Sequence, residues 1–185
     1  EAARLLNSSL DKIVAMVKSG ELKGRIVGVS KATKDGNASK MSVADWIKIY
    51  ADRGYVRLPN GGYKSIPNFT KEEIEAIADE TLKSRKKLAA HAVTPDGIIY
   101  SINAGASSIE HGFGMNEECM QLMAKKNVFW CPTIYVNDFV AEGRAKAGSP
   151  INKYFTQSEP DVFKKAMSFG VKIAYGTDIG GYDWN

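Results

Sequence analysis

Histidine is nearly absent from this chain: there are two in 185 residues, His91 and His111. Cysteine is equally scarce, and Cys119 and Cys131 form no Cys-x-x-Cys pair, so neither a zinc-finger framework nor a disulfide scaffold can be built. Cys119 falls on the apolar side of a helical segment and Cys131 in a strand, so both are expected as small buried hydrophobes. No stretch nears the ~18 consecutive apolar residues of a membrane span. No secretory leader is visible, but the chain opens on Glu1 rather than Met, which leaves cytoplasmic and secreted or periplasmic locations open. Charge of one sign is also lacking, since the net +4 is spread thinly. The densest basic run, Lys83-Ser84-Arg85-Lys86-Lys87, sits where a helix should end and complements the helix dipole. No basic, aromatic-lined stripe exists for nucleic acid.

What is present is ordinary core-forming material, 44% hydrophobic and 25% charged. Apolar periodicity predicts a helix over 2–18 and a strand over 25–30. A strand over 44–50 and a Gly-, Pro- and Asn-rich loop over 53–70 follow. Thr70 and Glu73 form a capping box that opens a helix to about Lys86. A strand over 88–93 meets Thr94-Pro95, and a helix runs to Gly105. A strand over 107–110, a helix over 116–126 and a strand over 128–134 come next. An irregular stretch over 136–158, with Gly143 and Gly148, is expected as a second lid. A helix over 161–169 and a strand over 171–175 close the series. Strands alternating with helices call for a parallel sheet. Six strands fall short of the eight of a closed barrel. The expected fold is therefore α/β, a (β/α)8 TIM-type barrel incomplete in this chain, with residues 1–185 forming one partial domain and the first two strands and the C-terminal part outside it. A doubly wound open sheet is the alternative, but it gives no reason for polar residues at four strand ends.

Those four positions carry the chemistry. Alternation puts Trp46, Lys48 and Tyr50 on one strand face and Ile47 and Ile49 on the other. In a barrel Lys48 would point inward, where an ammonium must be paired, deprotonated or modified. His91 and His111 end successive strands, at the rim where barrel active sites lie, and imidazole is the commonest transition-metal ligand. Asp178 ends a further strand, where a carboxylate can ligate a metal and accept a proton from water, the pattern of metal-assisted hydrolysis.

In the order Lys, His, His, Asp, the phrases Ala44-Asp45-Trp46-Ile47-Lys48-Ile49, Ala89-Ala90-His91-Ala92, Ser108-Ile109-Glu110-His111-Gly112, Pro132-Thr133 and Tyr175-Gly176-Thr177-Asp178 resemble the amidohydrolase superfamily. They are most similar to its imidazolonepropionase-like and metal-dependent Xaa-Pro dipeptidase branch. The resemblance implies two divalent metal ions, with zinc as the expected element, and a CO2-derived carbamate on Lys48 bridging them. It implies His91 and His111 as ligands of the second metal, and Asp178 as both a ligand and the proton shuttle of a bridging hydroxide. The family's His-x-His pair is missing and is expected to lie before Glu1, so the chain holds four of the six expected protein groups.

The implied reaction is hydrolysis of an amide bond in a dipeptide, an N-acyl amino acid or a cyclic amide. An esterase or lactonase on the same metals is the enzymatic alternative, and a truncated, non-catalytic chain is the non-enzymatic one. Arg53, Tyr55, Arg57 and Tyr63 in the long loop are candidates for meeting a substrate carboxylate or ring. The expected partners are a small-molecule substrate and, because an open barrel exposes sheet edges, either the missing barrel segment or a second copy of the chain. Neither nucleic acid nor membrane is expected.

Overall fold

The computed structural model describes residues 46–178, so the expected helix over 2–18 and strand over 25–30 lie outside the described residues. The order along the chain is β1 (Trp46–Tyr50), β2 (Asp52–Arg57), β3 (Tyr63–Pro67), α1 (Lys71–Lys83), β4 (Lys87–Ala92), α2 (Pro95–Ala104), β5 (Ser108–His111), α3 (Glu117–Lys126), β6 (Phe129–Cys131), α4 (Ile134–Lys146), α5 (Ile151–Ser168) and β7 (Lys172–Ile173). Five strands pair in parallel in the order β1-β4-β5-β6-β7, while β2 and β3 form a separate antiparallel pair. Parallel strands joined in sequence order through helices are the construction of a (β/α)8 barrel.

Local chemistry explains the elements. Thr70 Oγ1 accepts from Glu73 N while Glu73 Oε2 accepts from Thr70 N, so α1 starts on a complete capping box. Pro95 opens α2, and Gly105, at φ 108°, ends it in the left-handed region. One sheet face is apolar: Ile47, Ile49, Leu88, Ala90, Ile109 and Trp130 are fully buried against Ile74, Ile77, Ile98 and Met123 of the helices. Each large side chain there contributes roughly 1.5–3 kcal/mol. Above the strand ends a second cluster, Val93, Phe113, Val136, Val140 and Phe155, joins the β2–β3 hairpin to α4 and α5.

Five expectations are corrected. The segment 53–70 is a β-hairpin with its turn at 58–62, where Leu58 N donates to Gly62 O and Gly61 takes φ 82°. Pro59, Asn60, Gly61 and Gly62 make that turn, and the flanking Tyr55, Val56, Tyr63 and Ile66 lie in strands. The irregular lid expected over 136–158 is instead two helices. Val136, Val140 and Ala141 give α4 a buried stripe, and only Gly148, at φ 86°, marks the turn between them. The helix expected over 161–169 accordingly begins at Ile151 and passes through Pro160. The strands expected over 128–134 and 171–175 shorten to Phe129–Cys131 and Lys172–Ile173. Pro132 cannot extend the first, and Thr133 turns left-handed at φ 47° before α4. Cys119 and Cys131 are both buried free thiols.

Candidate active site

The parallel register decides which side chains meet. Tyr50 pairs with His91, and Ala92 pairs with His111. Strand alternation therefore places Lys48, Tyr50 and His91 on the face away from the helices. By the same rule His111, level with helix-facing Ala92, would point the wrong way. It does not, because its backbone takes φ 70°, a left-handed conformation that swings the ring towards His91. Their ring centroids lie 4.4 Å apart. Such a conformation costs about 1–2 kcal/mol in a non-glycine residue. It is held by Trp130 Nε1, which donates to the His111 carbonyl at 2.7 Å. Gly112 makes the turn possible: at φ 61° an added Cβ would sit 2.7 Å from both Met115 Cε and Trp130 Nε1.

Each imidazole is fixed through one nitrogen. Tyr50 stacks on His91 at 3.4 Å between centroids, and Tyr55 Oη lies 2.5 Å from His91 Nε2. Tyr55 Oη also lies 3.2 Å from the Asp52 carbonyl, and when its proton is directed there its oxygen accepts from His91 Nε2–H, which leaves the His91 lone pair on Nδ1. His111 Nδ1 bonds Thr133 Oγ1 at 2.7 Å, which places its lone pair on Nε2 when the ring nitrogen donates. Burial pushes both histidines well below the usual imidazole range, and the neighbouring charge of Lys48 adds to this; His111 falls to about 3. Both rings are neutral near pH 7, the state in which imidazole binds metal. Burial likewise keeps the Tyr55 phenol protonated.

Asp52 holds this arrangement in place. Its buried carboxylate accepts from Val93 N, Thr94 N and Thr94 Oγ1 at 2.8–3.1 Å, and from Ser65 Oγ at 3.3 Å. It sits at the N-terminus of α2, where the helix dipole favours an anion. A Cβ at Gly97 would come within 2.6 Å of Asp52 Oδ2, so only glycine admits the carboxylate. Burial raises the Asp52 pKa and these donors oppose the rise.

A cavity of about 170 Å³ contains Lys48, Tyr55, His91, His111 and Asp178 in its walls, so five of the sequence-derived site residues come together. Asp178 lies beyond the short β7, at φ 53°; burial raises its pKa and the Lys48 charge opposes this. Arg53 and Arg57 are not part of this cavity. Arg53 is exposed on β2. Arg57 stacks on Tyr154 at 4.4 Å and borders an outer groove of about 650 Å³ that shares the Tyr55 ring. Tyr63 packs on Phe155 at 4.6 Å in the cluster above the strands. Asp52 and Arg144 were not singled out in the sequence, and Thr133 was noted only within the phrase Pro132-Thr133, without a role. Asp52 and Thr133 each lie two residues past a strand end, of β1 and β6, and that position is the signal that could have found their roles.

Among the described residues no three His, Cys, Asp or Glu side chains cluster closely enough to hold a metal ion by themselves. The two neutral imidazoles, each with a lone pair left by its hydrogen bond, nevertheless fit a metal as a donor pair, with Lys48 and Asp178 in the same cavity.

A parallel βα array with paired histidines at adjacent strand ends is the arrangement of a (β/α)8-type barrel with a candidate metal site at its rim. The chain belongs to the Amidohydrolase family, whose profile it matches over residues 12–182. Ochratoxinase from Aspergillus niger is 29% identical over 136 residues, covering 71% of this chain and 28% of that protein. Its crystal structure superposes with a TM-score of 0.62 at 27% identity, over 73% of this chain and 31% of that one. A Xaa-Pro dipeptidase crystallised with methionine in its active site is 31% identical with a TM-score of 0.62, over 95% of this chain and 40% of that one. A prolidase complexed with N-methylphosphonate-L-proline gives 29% identity and a TM-score of 0.59, over 73% and 34%. The chain thus spans less than half the length of each of these relatives.

Proposed function

We propose that the polypeptide carrying this chain is a metal-dependent hydrolase that cleaves an amide C–N bond in a small amino-acid derivative, such as a dipeptide or an N-acyl amino acid. One observation carries the reading. Two imidazoles at neighbouring strand ends are held neutral, each anchored through one nitrogen with the other left to bind a cation. Family membership supports metal dependence, and the ligands named for the dipeptidase and the prolidase, methionine and a proline phosphonate, favour an amino-acid substrate.

In this reading His91 and His111 would hold a divalent ion, zinc being the proposed element, and Lys48, as a CO2-derived carbamate, would be a ligand for a second ion. A bound divalent ion supplies polarisation of the scissile carbonyl and acidification of water. The chain's own residues do the rest. Tyr55 and Thr133 keep each imidazole in one tautomer and orientation. Asp178 accepts a proton from the attacking water and returns it to the leaving amine. The apolar cluster around Phe113, Val140 and Phe155 limits entry of bulk water.

The test is hydrolysis of a panel of dipeptides and N-acyl amino acids by the full polypeptide. Turnover that is lost with a chelator, restored by zinc and abolished in His91→Ala is the expected result. Turnover indifferent to both treatments would overturn the reading.

A further inference from the structure

The wall opposite the histidines is made by α4 and α5, and it contains Arg144. Arg144 Nη1 donates to Asn152 Oδ1 at 3.1 Å, and Asn152 Nδ2 donates to Asn137 Oδ1 at 2.7 Å. Asn137 Nδ2 donates in turn to Thr156 Oγ1 at 3.3 Å. Asn137 and Asn152 are 1% and 4% exposed, and both reach the same cavity as His91 and His111. A long cationic side chain at a helix surface ordinarily samples many rotamers, and fixing it costs up to about 2 kcal/mol. Here the buried Asn152, itself held by Asn137 of the other helix, steadies one nitrogen of the guanidinium, so part of that cost is met before any ligand arrives.

Arg144 lines the same cavity as His91, His111 and Lys48. A planar guanidinium matches a carboxylate through parallel N–H bonds. Arg53 and Arg57 lie outside the cavity, Arg57 being stacked on Tyr154. The space itself, about 170 Å³, is well below the ~300–1,000 Å³ of drug-sized sites and admits only a small group.

We propose that Arg144, oriented by Asn152 and Asn137, is the specificity-determining residue that binds the free carboxylate of the substrate. The site then selects dipeptides and N-acyl amino acids with an ionised carboxylate over their amidated, esterified or uncharged cyclic counterparts. The substrate class rests on the hydrolase reading above, whereas the carboxylate contact does not.

The experiment is calorimetric titration of the full polypeptide with N-acetyl-L-leucine and with N-acetyl-L-leucinamide. The acid should bind at least tenfold more tightly than the amide. Arg144→Met should abolish that difference while leaving amide affinity unchanged, Arg144→Lys should retain part of it, and Asn152→Ala should fall between, with thermal melts confirming that each variant is folded. Equal binding of acid and amide by the unaltered protein, no binding of the acid, or an Arg144→Met variant that keeps the preference would each overturn the assignment. Turnover measured in parallel separates the two readings: an Arg144-dependent preference without hydrolysis supports the carboxylate contact and overturns only the hydrolase reading.

Discussion

The two walls of the cavity are built by different means. On the strand side, backbone pairing sets the register, one left-handed residue redirects His111, and single hydrogen bonds to Tyr55 and Thr133 fix each ring. On the helix side, position is set by side chains alone, through the Arg144–Asn152–Asn137 ladder. A wall anchored in a parallel sheet tolerates little displacement and suits groups that must meet a reacting bond. A wall hung on amide contacts between two helices can change its ligand preference by substitution without disturbing the other. On the proposed roles, chemistry and selectivity would then be carried by structurally separable elements.

Breaking the strand wall should have the larger consequences. His111→Ala removes a donor of the pair and should lower kcat/KM of the full enzyme by at least ~1,000-fold, since metal polarisation is worth several kcal/mol; steady-state kinetics on a cleaved dipeptide checks this. Asp52→Ala orphans the amides of Val93 and Thr94 beneath the site, and urea unfolding should show a loss of roughly 3 kcal/mol. Tyr55→Phe keeps the ring but deletes the hydroxyl that orients His91, so zinc affinity should fall ~10–100-fold in competition with a chromophoric chelator, with little change in stability.

The helix wall should respond more gently. Glu159 of α5 is buried, its Oε1 has no hydrogen-bond partner among the described residues, and burial with nearby Asp138 raises its pKa to about 7, a bond with Asn137 opposing the rise. Between its ordinary value of 4.5 and about 7 the folded state keeps a proton that the unfolded chain has released. Stability should then fall as pH rises through that window. Glu159→Gln should flatten this slope and add roughly 1–2 kcal/mol at pH 8 but little at pH 4.5, read from denaturation curves at the two pH values. The His91–His111 geometry should be untouched.

Legibility in the sequence followed the same division. Strand ends are marked by short apolar runs followed by polar residues, and His91, His111 and Asp178 were visible for that reason, while Lys48 stood out as an inward-facing cation inside a strand. Their convergence on one cavity needed the register and the φ of His111, which alternation would have assigned to the opposite face. The helix wall was hidden because Gly143 and Gly148 made 136–158 look like a loop. Gly143 in fact sits inside α4, where a Cβ would meet nothing within 4 Å, so the helix tolerates it without requiring it. Arg144 was lost with that helix. In its absence the arginines of the Gly-rich segment, Arg53 and Arg57, were the natural candidates for a carboxylate, although the hairpin directs them elsewhere.

The central claim is that His91 and His111 together hold a catalytic divalent ion. Elemental analysis of the full polypeptide, purified with zinc and bicarbonate, tests it most directly when set beside the His91→Ala/His111→Ala double variant. The account predicts stoichiometric zinc in the unaltered protein and loss of at least one equivalent in a variant that remains folded. Equal zinc content in the two proteins would contradict it.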